Sequence, residues 1–197
     1  MISVIHSIRA KNTKPPTLVL TVVCGEKTAK YNITEGTYRS IGCPLSGEEI
    51  DAATMEVIAR EDEERRALAK ALSVLSYSDK NRRELYARLI SAGFSAPAAK
   101  AAVKECVIHG YVNESRQLEH LVMKYARALE GPTKICARLT ARGYSKNAIL
   151  ETVSELTARG EIDLEQSKQL LISKKYPEGA SSEEIKKLLY KHGYFHD

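Results

Sequence analysis

No stretch of this sequence approaches the ~18 uninterrupted apolar residues that a bilayer span requires. The amino-terminal MISVIHSIRAKNTK lacks a basic head followed by an apolar run and a small-residue cleavage site, so the cytoplasm is the expected compartment. Cysteine is scarce: Cys24, Cys43, Cys106 and Cys136 are scattered, with no CxxC pair. That argues against a disulfide framework and leaves buried structural thiols as the expectation. There is no GxxxxGK[ST] phosphate loop to seat nucleotide hydrolysis. No HExxH and no paired Cys–His spacing supports a metal, and no cofactor or catalytic residue is expected. A basic tail is missing too. The +5 net charge comes from 30 Lys and Arg against 25 Asp and Glu, spread evenly along the 197 residues. Nucleic-acid contact is allowed by that balance but not announced by it.

What is present suffices for a folded protein. With 43% hydrophobic and 28% charged residues the chain can bury a core beneath a solvated surface, in one domain or a main domain with an appendage. The first third reads as strand: Ser3–Arg9, a β-branched Thr17–Val23 after Pro15-Pro16, and Thr28–Ile33. Cys24-Gly25-Glu26-Lys27 forms a short hairpin connector between the last two. From Ser46 the period becomes helical. Ser46-Gly47-Glu48-Glu49 fits a capping box, and Ile50, Met55, Ile58, Leu68, Leu72 and Leu75 follow at helical spacing. The charged run Arg60–Arg66 between them reads as a solvated helical face.

The dominant feature is an internal register of fifty residues. Leu85, Ile135 and Ile185 keep it, as do Leu89, Leu139 and Leu189, then Gly93, Gly143 and Gly193 with Phe94, Tyr144 and Tyr194 after them. The first two copies also align Ser95 with Ser145, Val103 with Val153, Gly110 with Gly160 and Asn113 with Asp163. Each copy reads as an amphipathic helix ended by a left-handed glycine, then a helix capped by Ser95 or Ser145, then one capped by Asn113 or Asp163. The expected fold is mostly α: tandem three-helix repeats in an elongated stack, with a small N-terminal antiparallel β element. The expected divisions are a β element over 1–45, connecting helices over 46–79, three-helix repeats over 80–130 and 131–180, and the start of a truncated third repeat over 181–197.

Several segments are similar to one family. Ala71–Leu89 matches an Ala-Leu-x-x-Leu helix followed by a polar cap and Glu-Leu-x-x-x-Leu. His109-Gly-Tyr-Val-Asn-Glu-Ser-Arg116 is similar to Gly-Tyr-Leu-Asp-Asp, with Asn113-Glu114 in place of the acidic pair. Tyr125–Gly143 follows a basic segment, Gly-Pro, Ile-x-x-x-Leu and x-x-Gly, and Leu188–Tyr194 follows Leu-x-x-Arg-Gly-Phe. In combination, over residues 65–197, these resemble the RecX family, regulators of the RecA recombinase. A non-enzymatic monomer is expected, and the resemblance implies a role in DNA repair, homologous recombination and the SOS response. Such a protein lies along the groove of the RecA–DNA filament, inhibits recombinase and ATPase activity, and binds single- or double-stranded DNA weakly. A stand-alone helical-repeat DNA-binding protein is the alternative.

Candidate contact residues are the basic ones. Arg82, Arg83 and Arg88 lie on the first repeat helix, Lys124 and Arg127 precede Gly131-Pro132, and Lys134, Arg138 and Arg142 follow it at successive i+4 steps. These last three read as one basic ridge opposite Ile135 and Leu139. Lys174 and Lys175, with Lys186 and Lys187, extend the stripe, which can neutralise phosphates or meet an acidic protein groove. For any one cation, ordinary helix surface is the competing reading. Ten tyrosines offer stacking platforms, yet Tyr144, Tyr194 and Tyr111 follow helix ends, where core packing is expected; Tyr86 and Tyr125 stay open. His109 reads as a C-terminal helix cation. His192 and His196 read as a frayed terminus, and Ser78-Asp79 and Ser181-Ser182-Glu183-Glu184 as helix starts.

Overall fold

The structure is a computed structural model that describes residues 3–13 and 16–194; Pro15 and His196 lie outside the described residues. Its elements are β1 (Ser3–Lys11), β2 (Thr17–Cys24), β3 (Lys27–Thr34), α1 (Glu35–Ser40), β4 (Glu49–Ile50), α2 (Ala52–Tyr77), α3 (Arg82–Ser91), α4 (Ala96–Ile108), α5 (Glu114–Arg127), α6 (Pro132–Ala141), α7 (Lys146–Ala158), α8 (Leu164–Lys175) and α9 (Ser182–His192). The chain is thus mostly helical, with a small amino-terminal antiparallel sheet. It divides into two compact units. One holds the described residues up to Ser78 together with Leu85–Tyr111; the other holds Asp79–Glu84 and the described residues from Val112 onward.

In the first unit the sheet order is β3-β2-β1-β4, all antiparallel. A bulge between Ile5 and Ser7 switches the alternation, so Ile5 and Ile8, three residues apart, both point inward. They join Leu20, Val22, Ile33, Ile50 and Ile58 in one core. The Ser46 capping box is not formed. Ser46 donates its hydroxyl to the His6 carbonyl at 2.7 Å, Glu49 enters β4, and α2 is capped by Asp51, whose carboxylate accepts from the Thr54 amide. The helical period begins earlier in sequence than the helix because Ile50 packs from a strand.

The charged run of α2 is not simply a solvated face either. Asp62, 3% exposed, accepts from the Asn32 backbone amide at 2.8 Å, and Glu61 accepts from that of Thr34 at 2.6 Å. These carboxylates cover the open edge of β3, where unpaired amides would otherwise invite another strand. Glu63 accepts from the Ser95 amide and hydroxyl, both at 2.8 Å, fixing the start of α4. These hydrogen bonds hold the Glu63 carboxyl below its usual range. Helix α2 packs along α4, and its buried positions there are Ala67 and Ala71, against Ala98, Ala99 and Ala102 on α4. Leu72, by contrast, is exposed.

In the second unit the caps fall where the repeat requires them: Asn113, Ser145 and Asp163 each accept from a first-turn amide, as Ser95 does in the first unit. Ser181 and Glu184 form a full capping box. The start of α3 is capped by Asn81 rather than Ser78-Asp79; its side-chain oxygen accepts from the Glu84 amide. Ile135, Leu139, Tyr144, Ile149 and Leu156 share a core with Leu118, Val122 and Ala126, and Leu171, Leu188 and Leu189 form a smaller one.

The register also organises how successive first helices meet. The Asn81 side-chain amide donates to the Arg142 carbonyl, at the end of α6, at 2.9 Å. Fifty residues on, the Gly131 amide donates to the His192 carbonyl, at the end of α9, at 2.7 Å, and the Thr133 amide to that of Gly193 at 3.1 Å. Each junction sets the carboxyl end of one helix on the amino end of its predecessor, satisfying groups that a helix end leaves open. Gly143 and Gly193 have φ of +101° and +81°. A Cβ on Gly193 would lie 2.5 Å from the Lys134 Cβ and amide, and one on Gly143 2.6 Å from the Arg83 Cδ.

Candidate partner-binding surface

The basic ridge of α6 is built from three consecutive turns, but its cations are already engaged. Glu130, the residue before Gly131, has a side chain only 9% exposed, and its Oε1 takes Arg138 at 3.1 Å and Lys134 at 3.7 Å. The Arg138 guanidinium also lies 5.2 Å from the Tyr125 ring centroid, a cation–π contact. Arg142 turns away to Glu84, at 2.9 Å. Burial works against the Arg142 charge, but the Glu84 hydrogen bond and charge outweigh it and hold the pKa above its ordinary value. The structure therefore brings Lys134 and Arg138 together on one carboxylate and sends Arg142 to another.

Elsewhere the candidates divide in the same way. Arg82 pairs with Glu114 at 3.4 Å, and its backbone amide donates to the same carboxylate. The stem of Arg83 lies against Gly143. Arg88, Lys124, Arg127, Lys174 and Lys175 are exposed, with no carboxylate partner among the described residues. Lys124 and Lys174 are fifty residues apart and occupy the last turns of α5 and α8. Such turns favour cations through the helix dipole.

Tyrosines and cysteines refine the expectations. Tyr144 is 7% exposed and donates its hydroxyl to Gln117 at 3.2 Å; burial raises its pKa. Tyr194 packs against the smaller core. Tyr111 does not pack: it is 56% exposed beside His109, ring centroids 6.1 Å apart. His109 caps α4 and lies 3.4 Å from Glu105. All four cysteines are free, but only Cys106 is fully buried; Cys43 is exposed, at φ +54°, so the expectation of buried thiols fails there. The residues that sequence reasoning missed are Glu130, Glu84 and Asn81. Glu130 carried a signal, four positions before Lys134. Glu84 is 58 residues from Arg142, a separation with no local signature.

Among the described residues no cluster of three or more His, Cys, Asp or Glu could hold a metal, and no helix is long and apolar enough to cross a membrane. These features define a class: a mostly helical protein with a small amino-terminal antiparallel sheet, whose distinctive side chains are surface cations. No protein-family model matches the chain. It is 26% identical over 187 residues to regulatory protein RecX of Caldanaerobacter subterraneus subsp. tengcongensis, covering 90% of this chain and 93% of that one. A crystal structure of regulatory protein RecX superimposes with a TM-score of 0.69 at 16% identity, over 96% of this chain and 91% of that one. RecX from Lactobacillus salivarius gives 0.57 at 19% identity, over 69% and 91%. The chain is therefore similar to regulatory proteins named RecX along most of its length, and it shares their fold.

Proposed function

We propose that this protein is a cytoplasmic, non-enzymatic regulator that binds the RecA–DNA filament and inhibits recombinase and ATPase activity. The observation that carries the reading is the end-to-end likeness to a protein named regulatory protein RecX. The fifty-residue register supports it physically, since a repeated helical unit offers contacts that recur along its length. The contact set is Arg82, Arg83, Arg88, Lys124, Arg127, Lys134, Arg138, Arg142, Lys174 and Lys175. Within it, the cations with no carboxylate partner among the described residues are the ones free to exchange solvent for an anionic partner.

The test compares affinity for bare single-stranded DNA with affinity for the same DNA coated by RecA and ATP, together with RecA-driven ATP hydrolysis and strand exchange. Tighter binding to the coated strand and inhibition of both activities are expected. A Lys124→Ala, Arg127→Ala variant should keep its fold and lose inhibition, because exposed cations of this kind change stability by only ~0.5 kcal/mol. Much tighter binding to bare DNA, with RecA activity untouched, would assign the chain instead to stand-alone DNA binding.

A further inference from the structure

The amino-terminal sheet has two faces, and α2 covers only one of them. Directly paired residues of an antiparallel sheet point to the same side. The covered side carries the rows Ile5–Val22–Ala29, Ile8–Leu20–Tyr31 and Ala10–Leu18–Ile33, which supply the core of this unit. The other side carries Val4–Val23–Thr28, Ser7–Thr21–Lys30, Arg9–Val19–Asn32 and Lys11–Thr17–Thr34. Those twelve positions hold three cations, five hydroxyl side chains, one amide, three valines and no carboxylate.

The charge on this face is uncompensated, unlike that of the α6 ridge. Arg9, Lys11 and Lys30 are all exposed, and none has a carboxylate partner among the described residues. The nearby acids are committed or distant. Asp62 is held by the Asn32 backbone and side-chain amides and by Arg66, and Glu61 by the Thr34 amide. Glu35, next to Thr34, pairs with Arg39, while Glu26 in the β2–β3 turn and Glu49 opposite Val4 lie at the end of the sheet farthest from Arg9 and Lys11. Arg9 and Lys11 are ~7 Å apart along their strand, and Lys30 is two strands, roughly 10 Å, across the sheet. Long flexible stems on that spacing reach neighbouring phosphates, and the hydroxyls of Ser7, Thr21 and Thr28 between them are phosphate hydrogen-bond donors. The paired rows of this face contain no Phe, Tyr or Trp to serve as a base-stacking platform.

We propose that the outer face of the amino-terminal sheet, centred on Arg9, Lys11 and Lys30, is a nucleic-acid contact surface that grips backbone phosphates without reading sequence. The surface is separate from the helical cations and acts on bare nucleic acid, whether or not RecA is bound. It gives the sheet a task that the repeats do not supply.

The experiment uses the full chain and a fluorescent oligo-dT probe of about 30 nucleotides, titrated over a series of salt concentrations. An Arg9→Ala, Lys11→Ala, Lys30→Ala variant should bind at least tenfold more weakly at low salt. Its plot of log affinity against log salt should flatten by about two units, ~0.7 for each single-strand phosphate that the protein no longer neutralises. A duplex and a scrambled sequence should show the same weakening. In the unmodified protein, the oligonucleotide should protect Lys11 and Lys30 from amine acetylation, a readout that does not depend on the variant folding. Parent-like affinity in a folded triple variant, or full acetylation of both lysines under saturating oligonucleotide, would overturn the proposal. A poly-glutamate peptide that protects these lysines better than DNA would overturn it too, assigning the face to an acidic protein.

Discussion

Removing Lys134 and Arg138 together should destabilise the second unit, although both residues look like free surface cations in the sequence. Their shared partner explains why. The Glu130 side chain is 9% exposed, its Oε1 faces the two cations at 3.1 and 3.7 Å, and its Oε2 is buried with no hydrogen-bond partner among the described residues. Stripping a buried carboxylate of its counter-charge costs about 3–5 kcal/mol when the site is dry. The cations here are 49% and 32% exposed, so water screens part of the interaction and can enter once they are cut back. A loss of about 2 kcal/mol in the Lys134→Ala, Arg138→Ala variant follows. At this chain length that lowers the melting temperature by roughly 4–8 °C. Because both cations serve one oxygen, each single variant leaves the other in place, and the effect of the double variant should exceed the sum of the singles. Adding Glu130→Gln removes the stranded charge and should restore more than half of the deficit. Thermal melts of the five proteins, with hydrogen exchange at α6 amides to localise the change, provide the check. A double variant that melts within ~1 °C of the parent would refute the reasoning, since Glu130 would then be hydrated without its partners.

Three further outcomes are expected. Leu139→Ala empties a site with no solvent exposure and should cost ~2–5 kcal/mol in denaturant unfolding of the second unit. Gly193→Ala and Gly93→Ala both force alanine to positive φ, a penalty of about 1–2 kcal/mol, but only the first also meets a neighbour. Its Cβ would sit 2.5 Å from Lys134, whereas that of Gly93 meets nothing within 4 Å, so Gly193→Ala should be clearly the more damaging by chemical denaturation. Glu63 ionises more readily folded than unfolded, so its contribution is complete above the ordinary carboxylate range and disappears as pH falls through the lowered value. Exchange of the Ser95 amide should accelerate over that acidic window, and Glu63→Gln should abolish the pH dependence.

The repeat could be read directly because it is written in local chemistry. An apolar stripe at i and i+4, a glycine where the helix ends and a Ser, Asn or Asp where the next begins each act within a few residues, and the register shows the stripe and the glycine three times and the caps twice. The three strands and the hairpin at Gly25 were legible for the same reason. Residues whose partners are remote in sequence were decided only by the tertiary structure. Asp62 resembles any helix-surface acid until β3, thirty residues earlier, presents an amide to it. Ser46 and Glu49 spell a helix cap, yet the neighbouring β1 recruits them into a turn and a strand. Arg142 continues the spacing of a basic ridge, but Glu84 claims it across 58 residues. Periodicity reports which way a side chain points; whether a charge there stays free depends on which carboxylate the fold carries within 4 Å, and only the folded chain sets that distance.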